Sequence, residues 1–410
     1  MTLEFDKVVP QVERMGRALA ARNITLSERG DLAWRIFTSM GDLDAIHARI
    51  QLARERDAGF RGAAPLHEPV NRPYPRPAAP ALATILAADG SQIYPSTHSA
   101  ALFYLTNVGV FVYHHGLDAL PEQITEPVLS YTEALLHDER GQLISNAAVN
   151  ARRTVHELQV LAREVWDRRT LARPILAISD GPLLFWVGKD VPNGRRLQDD
   201  YLAAMVHLHD ADAALQRESG FSASAIGYVD RPTSAFVTSL VYLMSLQPPE
   251  VRAAALETNG PLEGLTDQWL MFRLLRPGER SALFVQQSPQ NKRYRDRGES
   301  YEIAFFYVNV GQPHAYHLAR VEMPMWVAKD PARVDEVHAL VMAQCEMMWR
   351  YPYALTRADE LAVVRNIERT QLENLIEIEL RRNEQTVELS EKLEAKAVRH
   401  GRKRYREQRR

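Results

Sequence analysis

Thr84-Ile85-Leu86-Ala87-Ala88-Asp89-Gly90-Ser91 is a short apolar run that stops on an acid, a glycine and a hydroxyl. It reads as a half-buried strand carrying a carboxylate at its tip, with Gly90 free to take the turn that follows. The pattern returns at Ile175-Leu176-Ala177-Ile178-Ser179-Asp180-Gly181. Laid side by side, two such strands present Asp89 and Asp180 to one point, as hard divalent cations are held for phosphoryl chemistry. A single Asp-Gly pair is more often just a turn; the matched pair is what makes these carboxylates a candidate site.

The segment before the second run supplies a third acid. Asn150 to Arg168 reads as an amphipathic helix with Val155, Leu158, Leu161, Ala162 and Val165 facing inward. The strand from Pro174 to Asp180 climbs about 20 Å, and an antiparallel helix covers that height in about thirteen residues. This places Glu157 level with Asp180. Glu164 falls about two turns too low and reads as a solvated helix residue.

Working outward, 410 residues suit two domains, or one large domain with helical additions. With 46% hydrophobic and 25% charged residues the chain reads as an ordinary soluble protein. A formal charge of −2 gives no global attraction to nucleic acid, so a polyanion would need a local basic groove. One cysteine, Cys345, excludes an intramolecular disulfide and a cysteine-rich zinc site, and it reads as a packed core thiol. No apolar run reaches membrane-spanning length and the acidic start is no signal peptide, so a cytoplasmic location is expected. There is no Gly-x-x-x-x-Gly-Lys-Ser/Thr loop, which argues against a motor.

Residues 1–64 form the helical N-terminal region, with stripes Val8, Val12, Met15, Leu19 and Leu32, Ile36, Met40, Leu43, Ile46, and helix-start hydroxyls at Thr25 and Ser27. Residues 65–82 are a Pro-rich linker. Residues 83–380 form the main domain and 381–410 the end of a long helix and a basic tail. Within the main domain, 100–115 reads as one or two strands antiparallel to the first, and 303–310 and 317–323 as a strand pair. Residues 292–297 read as a charged loop, and a single helix is expected from Leu355 to about Val398.

Taken in order, Ala88-Asp89-Gly90-Ser91, Ser179-Asp180-Gly181-Pro182-Leu183, Gly227-Tyr228-Val229-Asp230-Arg231-Pro232, Gly278-Glu279-Arg280-Ser281, Ala319-Arg320-Val321-Glu322-Met323-Pro324 and Tyr351-Pro352-Tyr353-Ala354-Leu355 resemble the NurA nuclease family over about residues 83 to 370. The resemblance implies an α/β fold: an RNase H-like mixed β-sheet flanked by helices, with a helical N-terminal region and a long C-terminal helix. It implies Asp89 and Asp180 as metal ligands joined by a helix glutamate, a place Glu157 fills, and Tyr351 as a catalytic tyrosine that stacks on a base or orients water. NurA-like chains carry a histidine eight residues after that tyrosine; here the position is Asp359. An aspartate still offers an oxygen to Mn²⁺ or Mg²⁺, but it serves poorly as a proton donor near neutral pH.

The activity so implied is metal-dependent 5′→3′ exonuclease and single-strand endonuclease cleavage of DNA in end resection and double-strand break repair. Two Mn²⁺ or Mg²⁺ ions would be the cofactors. The partners would be DNA, a HerA-like hexameric ATPase and a second copy of the chain. Arg231, Arg280 and Arg320 within the family-like segments, with Arg357 and Arg365 further on, are the candidate DNA contacts. Two alternatives stand beside this: a catalytically weakened subunit that clamps DNA for a translocase, and a junction resolvase-like nuclease. A cleavage assay across Mn²⁺, Mg²⁺ and Co²⁺ separates the first; symmetric cutting of a junction in preference to a free end would favour the second.

Overall fold

The computed structural model describes residues 4–138, 141–189 and 191–383. Nine strands make one mixed sheet: β1 (Ala63–Pro65), β2 (Ala83–Ile93), β3 (Tyr104–His115), β4 (Glu122–Ser130), β5 (Ile175–Asp180), β6 (Ala223–Asp230), β7 (Phe284–Gln286), β8 (Ile303–Asn309) and β9 (Leu318–Pro324). Their order across the sheet is β1-β7-β8-β9-β6-β5-β2-β3-β4. Among the described strands the β2–β5 and β5–β6 pairs are parallel; the helix Asn146–Arg168 leads from β4 back to β5, and Gly194–Ser219 makes the crossover from β5 to β6. With helices flanking this mixed sheet, the fold is RNase H-like α/β, as the sequence leads one to expect.

The central strands are apolar on both sides because both faces are covered. One face packs Leu86, Val110 and Ala177 against Val155, Leu158 and Leu161 of the helix Asn146–Arg168. The other packs Ile85, Phe111 and Ile178 against the helices Pro331–Met347 and Tyr353–Ala362. A third core joins the N-terminal helices to β7, β8 and β9 through Phe37, Ile46, Phe284 and Phe305.

Several elements depart from the sequence reading. β2 does not end at Asp89 but runs on to Ile93 with Gly90 inside it. The charged segment around Lys292 is a helix, Pro289–Arg297, because the Ser288 side chain caps it by accepting from Asn291 N and Pro289 suits its first turn. Thr25 and Ser27 start no helix: one helix runs unbroken from Phe5 to Ser39, followed by Leu43–Glu55 capped by Asp42. The expected C-terminal helix is two, Tyr353–Ala362 and Asn366–Arg382, since Val363 turns extended (ψ 121°) and the Arg365 N–H donates to Glu368 Oε2 at 2.7 Å at the start of the second. The segment expected beyond residue 383, with the basic tail, lies outside the described residues.

Residues 65–82 run as a strap along the sheet. Tyr74 bridges Arg280 through backbone bonds of 2.8 and 3.0 Å in both directions, and Glu68 clamps the Arg280 guanidinium. Among the described residues no helix is long and apolar enough to cross a membrane.

Candidate active site

The parallel ladder between β2 and β5 pairs Ala88 with Ser179, which puts Asp89 and Asp180 at the next step outward on neighbouring strands. Asp89 is half-buried and accepts from Gly90 N at 2.7 Å. Its carboxyl is held up at about 6: burial raises it most, the Gly90 amide pulls against this, and Asp180 and Asp359 add to the rise. Asp180 is also raised, first by burial and then by Asp359, against the opposing hydrogen bond from Tyr351. The Tyr351 hydroxyl donates to Asp180 Oδ1 at 2.9 Å, and its ring stands edge-on to buried Tyr228, centroids 5.3 Å apart.

Tyr351 is delivered by an unusual turn. Trp349 and Arg350 both take the left-handed conformation (φ 54° and 87°), and the turn is held by Arg350 N donating to Cys345 O at 3.0 Å. Two such non-glycine residues in a row are costly and persist only where the surroundings over-determine them.

Glu157 sits where the strand-and-helix count put it. It is 6% exposed and faces the β2 tip, where a Cβ on Gly90 would lie 2.3 Å from its Oε1. Gly90 is therefore a glycine because the helix packs on it; no turn is made there. The second Asp-Gly pair does turn, with Gly181 at φ 88°. The two matching sequence signals thus have different physical causes. Glu157 Oε1 lies 2.9 Å from Arg153 Nε, outside hydrogen-bond geometry. Burial holds its carboxyl up at about 8; Arg153 opposes this, and Asp89 and Asp180 add to it. Glu164 proves buried and bound to Arg168 at 2.6 Å, a structural pair in place of the solvated residue expected.

Asp359 stands on the helix Tyr353–Ala362, close enough for its charge to act on both Asp89 and Asp180. Gly109, directly opposite Asp89 in the β2–β3 register, makes this possible: a Cβ there would lie 2.5 Å from Ala358 O. Asn107 Nδ2, at 2.8 Å, and Ser91 Oγ both donate to Ala362 O and fasten the last turn of that helix.

The five arginines proposed from sequence scatter. Arg231 and Arg365 are exposed. Arg357 is half-buried, paired with Glu360 and lying over Phe111. Arg280 and Arg320 correct the expectation. The first is buried in a fork on Glu68 (2.9 and 2.8 Å) and stacked on Tyr74; the second is buried on Glu322 and Ser234 at 2.9 Å each. Both spend their donors inside the protein, so neither is free for a phosphate. The sequence reading missed Arg153, one turn before Glu157 and so legible as an i,i+4 pair. It also missed Trp186, whose exposure no local pattern announces.

Asp89, Glu157 and Asp180 line one cavity of about 630 Å³ with Arg153, Asn150 and Trp186. Their all-oxygen donor set and crowded negative charge, offset by one guanidinium, suit a hard cation. Among the described residues no three His, Cys, Asp or Glu side chains are already gathered as a ligand cage. Glu157 is turned onto Arg153 and would have to leave it to join its neighbours.

Fold and site together define the class: an RNase H-like α/β protein with Asp89, Asp180 and Glu157 round one cavity, on two neighbouring parallel strands and the helix that covers them. The sequence model described as the NurA domain matches residues 83–364, more than half of the chain. The chain belongs to that family and is, by family and fold, a nuclease. The crystal structure of the NurA nuclease from Sulfolobus solfataricus is similar in fold at TM-score 0.50 and 10% identity, covering 92% of this chain and 98% of that one. A. aeolicus Argonaute gives a TM-score of 0.30 at 8% identity, covering 69% of this chain and 28% of that one. No curated protein sequence matches the chain.

Proposed function

We propose that the chain is a divalent-metal-dependent deoxyribonuclease, cutting from DNA 5′ ends and within single strands during end resection. The observation that carries this is the gathering of Asp89, Asp180 and Glu157 round one cavity, where burial and neighbouring carboxylates, Asp359 among them, raise the proton affinity of the three. Such mutual repulsion is relieved by a cation of higher charge than Arg153 can supply. Asp89, Asp180, Glu157 and Asp359 would hold Mn²⁺ or Mg²⁺, two ions in the fullest arrangement. Bound there, the metal supplies a nucleophilic water near neutral pH and charge neutralisation at the leaving oxygen.

The chain's own residues do the rest. Tyr351 fixes the Asp180 carboxylate through its O–H, which donates to Oδ1. Arg153 stands beside the acids as the cation that meets an incoming phosphate once Glu157 turns away. Asp359, where the family pattern has a histidine, would supply an oxygen donor at that position. Polarity, a HerA-like hexameric ATPase partner, the homodimer and a cytoplasmic setting come from the family resemblance.

The test is single substitution. Asp89→Asn and Asp180→Asn should each lower Mn²⁺-dependent cleavage of a labelled single strand by more than the ~10–100-fold that losing an outer partner costs. Cleavage at the parental rate by either variant would remove the site.

A further inference from the structure

Two cavities share a wall at Trp186. The first holds Asp89, Glu157 and Asp180. The second, about 510 Å³, runs past Arg61 and Arg293 over the Arg320–Glu322 pair, and Pro182, Leu184 and Trp186 line both. Trp186 is 70% exposed although its neighbours are pinned. Leu183 is buried and donates its N–H to Glu322 Oε2 at 2.9 Å; Phe185 is buried, donates to Tyr294 Oη at 2.9 Å and stacks on Tyr201 at 4.8 Å. A loop anchored immediately ahead of Trp186 holds that indole in water, against the tendency of so large an apolar surface to bury itself.

The charge beside it is also uncompensated. Arg61 and Arg293 are exposed, and among the described residues neither makes an ion pair; Arg293 donates only to Gln198 Oε1 at 3.1 Å. The one acid lining this groove, Glu322, is already bound to Arg320 and to the Leu183 amide. An exposed π-face next to two free guanidinium groups, continuous with the acidic cavity, has the chemistry of a single-strand path.

We propose that Trp186 is a stacking platform for one base of single-stranded DNA, whose phosphates on that side rest on Arg61 and Arg293. The strand is thereby led between the carboxylate cavity and the second groove. This rests on the nuclease reading only for the choice of ligand, and its test needs no cleavage. Anisotropy of a fluorescein-labelled thymidylate dodecamer in EDTA gives the affinity of the full chain and its variants. Trp186→Ala and Trp186→Leu should each weaken binding by roughly 5- to 150-fold, the loss of one base stack, while Trp186→Phe stays within about threefold. Arg61→Ala and Arg293→Ala should each reduce the slope of log affinity against log salt by about 0.7. Trp186 is a surface residue, so all variants should melt with the parent. A Trp186→Leu variant that binds as tightly as the parent, or a parent that does not bind the dodecamer, overturns the platform. Loss of cleavage with Trp186-dependent binding intact would overturn only the catalytic reading.

Discussion

At the residue scale, Tyr351 contributes one O–H, to Asp180, and its ring is already seated on Tyr228. Tyr351→Phe keeps the ring and removes the donor. Steady-state cleavage should fall about 10–100-fold, while urea stability changes by no more than about 1 kcal/mol. Glu157 gives a prediction independent of turnover. Its proton is held up to about 8, against an ordinary 4.5 in the unfolded chain, and Asp89 is held to about 6 against 3.8. Between about pH 4 and pH 8 these two groups therefore bind more protons in the folded state than in the unfolded one, and what they contribute to stability falls as pH rises through that window. Melting temperatures in EDTA should decline from pH 5 to pH 8. Glu157→Gln should flatten most of that decline, being more stable than the parent at pH 8 by on the order of a few kcal/mol. Added Mg²⁺ should flatten the parent's decline in the same way.

At the element scale, the site depends on how close the helix Tyr353–Ala362 can lie on β2 and β3. Gly109 sets that approach, since a side chain there meets Ala358 O at 2.5 Å and Ala362 N at 2.7 Å, both backbone and unable to rotate aside. Gly109→Ala should lift the helix, cost ~1–3 kcal/mol in urea unfolding, and weaken cleavage by drawing Asp359 away from Asp89. A variant as stable and active as the parent would show that the helix is not held by this contact. Much at this scale is legible in the sequence: the two strands, the amphipathic helix and the height of Glu157 all follow from periodicity and rise per residue. The break at Val363 is less so, because Val363-Val364 in an otherwise helical run carries no glycine or proline to announce it.

At the scale of the whole molecule, the helix Phe5–Ser39 leaves Phe5, Val9, Val12 and Met15 exposed at 51–58%, a spacing that falls along one stripe. If the chain pairs as the family resemblance implies, this stripe is the natural surface to cover. Val12→Glu with Met15→Glu should convert a dimer to a monomer by light scattering at unchanged melting temperature. A dimer that persists in the double variant would move the interface elsewhere.

By itself the sequence determined the strand–helix–strand unit around Asp89 and Asp180, the third acid and the family, because period, rise and short motifs are local properties that survive without coordinates. Only the tertiary structure decided which charges are free. Arg280 and Arg320 stand in family-like segments yet are consumed by Glu68 and Glu322, while Trp186, silent in the sequence, faces the cavity. The reason is that burial and pairing are set by the packed surroundings: Glu68 lies 212 residues from Arg280, and Arg320 is buried by the sheet and closed by Ser234, 86 residues away, as well as by its near neighbour Glu322.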